Sequence, residues 1–486
     1  MKLGPRSAVA VALAVAVASL ALPFFPVYDP WAWLVWGRGL LEGGFETAAG
    51  PSWKPLPVLI DAPLSLLGDA APKGWLLIAR TGWVCAALLA GLLAWRLAGE
   101  GTGRWRWVAA AVAAGSVALT HDAFTPPLRQ FTGGLSEPLL VALVLGAVWA
   151  ALDERPGAAL GLGTAAALLR PECWPFLALW GLSAKDHPRL RAAAIGVAIL
   201  VPLAWFVPDI VGAGNPLEGG ETARAGGIEP IDGLAVLGRT LTAPLAAAWV
   251  GVGLLLWREG RVRGAGESRI PDLDRPLAIM LAGAAAWVLL VALMAVAGFA
   301  GLPRFLAPAT AIVAVVGAAG IARAGAAAFL RPEPESAGLL FRYAAKRSGG
   351  PFVGPGSRGL VVVALLLGVV GLGWRVAQVP GDLRVVERQT SSLEDLFELV
   401  DRTGSGPLLA CGGTVKLTQV RPQTALAWKL ESPIAAAPVR RKPLYGVALS
   451  TKPLPSGIPF SSAGRWRATR LPCPSGYSQA LADLGR

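Results

Sequence analysis

Long apolar runs, each bounded by charged or Gly/Pro-rich stretches, dominate the chain. They lie near residues 8–25, 74–96, 107–120, 136–152, 158–170, 172–183, 192–208, 239–257, 277–298, 304–322 and 359–377. A helix that crosses the ~30 Å hydrocarbon layer needs ~20 mostly apolar residues. The pattern therefore predicts an all-α polytopic membrane protein with about 11 transmembrane helices. Several runs are short, and Arg170-Pro171-Glu172 breaks the stretch 158–183 into two partial or tilted halves. The first run follows Lys2 and Arg6 and has small residues at Ala16-Val17-Ala18. It reads as an uncleaved anchor or as a cleaved secretory signal; its length favours the anchor.

Two inter-run segments are long, 26–73 and 209–238. The first is rich in Trp and Pro: Trp31, Trp33, Trp36, Trp53, Pro51, Pro55 and Pro57. Unpaired backbone groups cannot sit in lipid, so this loop is expected to form short helices along the membrane surface. Its indoles suit an interfacial belt. The segment 324–358 carries Pro, Gly and basic residues and reads as a linker. Beyond 377 the pattern changes. Leu383, Val386, Leu393, Leu396, Phe397 and Val400 recur at helical spacing, and Gly404 marks a stop. Pro407–Cys411 and Leu444–Ser450 predict short strands. The expected division is a membrane domain over 1–377 and a small soluble α/β domain over 378–486. Cys411 and Cys473 both fall in the second domain, as a disulfide or as two free thiols.

Composition sharpens this picture. Hydrophobic residues make up 54% and charged residues 15%, against roughly 25% charged in soluble domains. A disordered chain and a soluble multidomain enzyme are both excluded. The 44 Lys+Arg exceed the 31 Asp+Glu by 13. The excess brackets the apolar runs as topology signals do, so no nucleic-acid partner is expected. With the N-terminus in the cytoplasm, cytoplasmic loops hold 20 of the basic residues and the opposite loops nine. The remaining fifteen are Arg375 and those of the tail. This bias predicts a multi-pass cell-membrane protein with an extracytoplasmic C-terminal domain. The two histidines, His121 and His187, rule out multi-His metal sites. A phosphate-cradling loop, a His-Glu-x-x-His helix and a Gly-x-Ser-x-Gly elbow are all missing.

Ionisable residues collect at one level of the predicted bundle. Asp29 ends the first span; His121 and Asp122 end the third; Arg129, Ser136 and Glu137 precede the fourth. Arg170 and Glu172 occupy the next turn, and Arg304 opens the tenth run. Single charges at helix ends merely mark where spans stop. Acids at four separate turns, with basic partners, point to a shared site. A carboxylate base with Arg and Lys phosphate holders at a membrane surface suits transfer from a lipid-linked phosphate. The carboxylates alone could equally bind a metal.

The order of these motifs resembles the GT-C superfamily of membrane glycosyltransferases, in its lipid A aminoarabinose transferase and protein O-mannosyltransferase branch. The likeness rests on Asp29 after the first span, Gly37–Gly44 in the loop and Trp53-Lys54-Pro55-Leu56-Pro57. Ser136-Glu137-Pro138-Leu139, Leu169-Arg170-Pro171-Glu172 and Arg304-Phe305-Leu306-Ala307-Pro308 complete it. The resemblance implies a transferase that moves a sugar from a polyprenyl-phosphate donor to a cell-envelope acceptor (glycan, lipid or protein), with inversion. It implies Asp29 as catalytic base and Asp122 as a second essential acid. Lys54, Arg304 and Arg129 become candidates for the donor phosphate, and Glu137, Arg170, Glu172 and Trp53 for acceptor or sugar. Some members carry a metal-ligating Glu where this chain has Trp53. No metal dependence carries over, and Asp29, His121 and Asp122 remain the candidates for a divalent ion. Two other functions fit parts of the pattern: a transporter or flippase of a lipid-linked sugar, and a scaffold whose tail binds a cell-wall partner. Transport calls for polar groups at mid-bilayer, whereas these charges sit at helix ends.

Overall fold

The computed structural model describes residues 4–22, 26–120, 127–183, 187–225, 235, 238–239, 245–264, 274–330 and 355–473. The helices, numbered in chain order, are α1 Pro5–Ser19, α2 Tyr28–Glu42, α3 Pro55–Ser65, α4 Ala71–Ala98, α5 Trp105–Ala118, α6 Pro127–Gly133, α7 Glu137–Leu152, α8 Pro156–Leu169 and α9 Trp174–Ser183. They continue as α10 Pro188–Ala213, α11 Glu218–Ala225, α12 Ala246–Gly264, α13 Asp274–Val296, α14 Ala307–Phe329, α15 Pro355–Thr403, α16 Ser405–Leu409 and α17 Gln423–Lys429. Each of the eleven apolar runs overlaps one of these helices. Among the described residues five are long and apolar enough to cross a membrane, and α1, α7, α8 and part of α12 are shorter apolar helices. Proline near the first position starts α3, α4, α7, α8, α10 and α14, where its missing N–H costs nothing.

α14 is the most buried of the five, and its Ala, Gly and Val side chains allow this. A Cβ on Gly317 would fall on the backbone carbonyl of Ala248, and one on Gly251 on that of Gly317. α12 and α14 therefore cross with backbone against backbone, as small-residue interfaces permit. α10, α13 and α15 instead turn Ile199, Leu203, Leu293, Leu366 and Val369 outward. Such rows suit lipid contact.

The last carbonyls of a helix have no partner of their own, and in lipid each orphan costs several kcal/mol. Arginines from neighbouring helices meet them. Arg80 of α4 donates to the Ser19 carbonyl of α1 at 2.6 Å, and Arg96 to Leu152 of α7 at 2.6 Å. Arg323 donates to Leu97 of α4 at 2.8 Å, Arg375 to Leu119 after α5 at 2.8 Å, and Arg358 to Ala328 of α14 at 3.0 Å. A cation at the negative end of a helix dipole is favoured.

The loop 26–73 forms α2 and α3, as its Trp/Pro pattern suggested. The helical spacing over 383–400 belongs to α15, one continuous helix of 49 residues. At 1.5 Å per residue it is about 70 Å long, so it runs well beyond any hydrocarbon layer. It stops at Gly404, whose φ of 79° suits glycine. A four-stranded sheet follows: β1 Val415–Leu417, β2 Val447–Ser450, β3 Ile458–Ala463 and β4 Trp466–Arg470, in the order β1-β2-β4-β3. β1 and β2 are parallel and the other pairs antiparallel. The predicted strand over Pro407–Cys411 is corrected: Ser405–Leu409 is helical. Pro407 has no ladder donor, and Gly404 with Gly412 and Gly413 leaves too short a segment to pair. Cys411 and Cys473 are joined by a disulfide, with Cα atoms 5.9 Å apart.

The C-terminal unit shares a core with the loop helices. Trp31, Trp33 and Trp36 of α2 are buried in one cluster with Leu396 of α15, Leu426 of α17 and Val447 of β2. The Trp31 and Phe397 rings meet edge to face at 5.7 Å. Much of the supposed interfacial belt is therefore interior packing. α2 lies between the bundle and the C-terminal unit.

Candidate active site

Three acids open three helical elements that meet on one side of the bundle. Asp29 is in the first turn of α2, Glu137 begins α7, and Glu172 lies in the 3-10 turn Pro171–Cys173. Carboxylates favour these positions because the free N–H groups of a helix start carry partial positive charge. Three cations come to the same place. Lys54 precedes α3 in extended conformation, Arg170 is extended between α8 and its 3-10 turn, and Arg304 lies in the 3-10 turn Pro303–Leu306 leading into α14.

The three acids and the two arginines form one ion-pair network, and Lys54 adjoins it. Arg304 lies 3.9 Å from an Asp29 oxygen and 3.7 Å from Glu137 Oε1. Arg170 binds the same Glu137 oxygen at 2.5 Å and reaches Glu172 at 3.6 Å. Both guanidinium groups approach the Phe305 ring, at 4.0 Å for Arg170 and 5.7 Å for Arg304. Lys54 donates to Ser136 Oγ at 3.3 Å and stands 5.0 Å from the Trp33 ring centre. Burial, then the Arg170 cation, bring the Lys54 ammonium down to about 8, against the opposing pull of Glu137 and Asp29. Glu137 is 1% exposed, whereas the Asp29 side chain is 18% exposed. Asp29 is thus the acid of the network open to an incoming group. The second oxygens of Glu137 and Glu172 are buried and accept no hydrogen bond among the described residues.

A small cleft opens beside Arg304 between α4, α5, α6, α7 and α14. Trp83, Gln130, Pro138 and Thr310 are among its walls. Arg304 faces both the cleft and the ion network, so a charged head in the network can adjoin an apolar body in the cleft.

No protein-family model matches the sequence, and no curated protein sequence does. Solved structures do. ArnT from Cupriavidus metallidurans, bound to undecaprenyl phosphate, matches with a TM-score of 0.50 at 15% identity, over 95% of this chain and 97% of that one. The chain shares the fold of ArnT. The apo structure of the same protein gives a TM-score of 0.49 at 15% identity, over 95% and 96% of the two chains. The ArnT fold agrees with the polytopic all-α architecture and small C-terminal sheet expected from the pattern.

Within this ArnT-like fold, Asp29, Lys54, Glu137, Arg170, Glu172 and Arg304 are brought together. Trp53 adjoins them differently. It is 4% exposed, its indole donates to the Ala204 carbonyl at 3.0 Å, and its ring packs on Trp36 and Phe45. Arg129 sits half-buried in α6, and among the described residues no ion pair joins it to the network. His121 and Asp122 lie outside the described residues. Among the described residues no group of three or more His, Cys, Asp or Glu side chains converges as metal ligands do. Sequence reasoning missed Trp33 and Phe305 as the aromatic floor beneath the cations. Their adjacency to Asp29 and Arg304 was the available signal.

Proposed function

We propose that the chain is an inverting membrane glycosyltransferase that takes its sugar from a polyprenyl-phosphate carrier. The observation that carries this reading is the meeting of Asp29, Lys54 and Arg304 beside a cleft between helices. The ArnT fold supports it, since ArnT was solved with undecaprenyl phosphate bound.

In this reading the carrier lies along the cleft and its phosphate reaches Lys54 and Arg304. An acceptor hydroxyl gives its proton to Asp29 as its oxygen attacks the anomeric carbon from the face opposite the phosphate. The bond from that carbon to the phosphate oxygen breaks, and its electron pair leaves with the polyprenyl phosphate. Lys54 and Arg304 hold the charge that grows on this leaving group. Glu137 ties Arg170 to Arg304 and so fixes their planes. Glu172 and Arg170 are placed to meet sugar or acceptor hydroxyls. The bias of basic residues puts the N-terminus in the cytoplasm. The site and the C-terminal unit then face outward, toward a cell-envelope acceptor.

Replacing Asp29 with Asn removes the base and keeps the shape. Transfer from polyprenyl-phosphate-linked mannose, glucose or arabinose to membrane acceptors is expected to fall ~10²- to 10⁴-fold. Protein level should be unchanged. A wild-type rate in Asp29→Asn removes the assigned role. Counterflow of the lipid-linked sugar in proteoliposomes without acceptor, unaffected by Asp29→Asn, points to a transporter instead.

A further inference from the structure

The C-terminal unit grips α2 at both ends, and one grip adjoins the candidate base. Thr424 of α17 donates its hydroxyl to the Tyr28 carbonyl at 2.7 Å, and the Tyr28 hydroxyl donates to Gln423 Oε1 at 2.9 Å. Thr424 is fully buried. Burial, with the Asp29 carboxylate, pushes the Tyr28 phenol up to about 12, so it remains a donor at working pH. At the far end Arg38 donates to the carbonyls of Trp428 at 3.1 Å and Ser432 at 3.3 Å, with its guanidinium 4.8 Å from the Trp428 ring centre. On the bundle side, the Val27 N–H donates to the Gly133 carbonyl at 3.0 Å. α2 has no side-chain cap of its own at its start. Its first turn is therefore held between α6 and α17.

Asp29 is the next residue. Its carboxylate meets Arg304 at 3.9 Å, a separation that a small shift of the turn would open. Misplacement of a reacting group by ~1 Å can cost ~10²-fold in rate. The hydrogen bonds to Tyr28 join residues 395 and 396 positions apart, so the first turn of α2 depends on a unit folded from the other end of the chain.

We propose that Gln423 and Thr424 are positioning residues: the C-terminal unit holds the first turn of α2 so that the Asp29 carboxylate stays aimed at the acceptor hydroxyl beside Arg304. The inference rests on the function proposed above. It makes the unit a working part of the site rather than an appended domain.

The test uses the full chain in lipid nanodiscs, with Thr424→Val, Thr424→Ser and Gln423→Leu. Hydrogen exchange is followed over residues 28–34, and transfer is followed from the donor sugar that the wild type accepts. Thr424→Val is expected to speed exchange there at least ~10-fold. It is expected to lower kcat ~10- to 100-fold, with KM for the donor and binding of undecaprenyl phosphate unchanged. Thr424→Ser should restore both, since the hydroxyl is retained. Faster exchange with an unaltered kcat overturns the positioning role, and so does a lowered kcat without faster exchange. Should Thr424→Val fail to fold, Gln423→Leu and Tyr28→Phe each remove a single hydrogen bond and carry the same comparison with smaller expected changes. A wild-type chain that transfers none of the sugars, or an Asp29→Asn chain of wild-type rate, instead overturns the function reading. The positioning role falls with it, while the exchange data still decide whether α17 clamps α2.

Discussion

Buried arginine serves two purposes in this molecule, and comparing them separates architecture from chemistry. Arg80 donates to Ser19 and Phe131 carbonyls and stands over the Phe131 ring, and among the described residues no ion pair joins it to a carboxylate. Its partners are backbone dipoles at a helix end. Arg170 and Arg304 stand over Phe305 in much the same way, yet they face Asp29, Glu137 and Glu172. The first arrangement closes the hydrogen bonding of a helix that would otherwise expose carbonyls to lipid. The second gathers opposite charges from four parts of the chain around one partly open acid. A buried arginine in an apolar bundle is therefore no signal of function in itself. Convergence of carboxylates from several helix starts is the sharper mark.

Removing each kind of arginine should break different properties. Arg304→Ala is expected to lower transfer ~10²- to 10³-fold, as loss of a group that holds leaving-group charge does. Folded protein should still be recovered, because Arg170 and Lys54 remain beside Glu137. Arg80→Ala is expected to cost about 1–3 kcal/mol of stability, read as a lower melting midpoint in detergent, since it removes the donor to the Phe131 carbonyl and one of the two donors to the Ser19 carbonyl, the other being the Leu22 N–H. Its transfer rate per folded molecule should match wild type. The opposite pattern in either variant would erase the distinction drawn between the two regions.

A smaller effect sharpens the same comparison. Lys54 titrates near 8 because burial and Arg170 disfavour its charged form. The ammonium is the form that attracts phosphate, so the contribution is full below about 8 and is lost as pH rises. Affinity for undecaprenyl phosphate should fall up to ~10-fold per pH unit above that value. Lys54→Arg should flatten the dependence, since guanidinium stays charged. An unchanged slope in that variant would place the titrating group elsewhere.

The bundle was legible in the sequence because length and apolarity are what lipid demands of a helix. All eleven runs overlap one. Much of the site was legible for a related reason: Asp29, Glu137, Glu172, Arg170 and Arg304 lie at or near the ends of runs, with Lys54 in the long loop between two of them, and those ends come together. What could not be read is contact between residues distant in the chain. Nothing near Tyr28 announces Gln423 or Thr424. The Trp cluster of α2 suggested an interface with lipid, while its fate depends on a sheet assembled several hundred residues later. Arg80 counted as one more basic residue of the opposite loops; its target, the Ser19 carbonyl, has no sequence signature. The pairing of Cys411 with Cys473 stayed open for the same reason, and Pro407–Cys411 misled because five residues carry too little periodicity to tell strand from helical turn.

Pro380 lies inside α15, where a proline removes one helical hydrogen bond and loosens the turn before it. From there to Thr403 the rod extends about 35 Å at 1.5 Å per residue. Tilting that arm by about 5° would swing its tip through about 3 Å, as far as the hydrogen bond from Thr424 to Tyr28 is long. Leverage of this kind would let a slight flex at one imino acid loosen or tighten the grip on the carboxylate beside Tyr28.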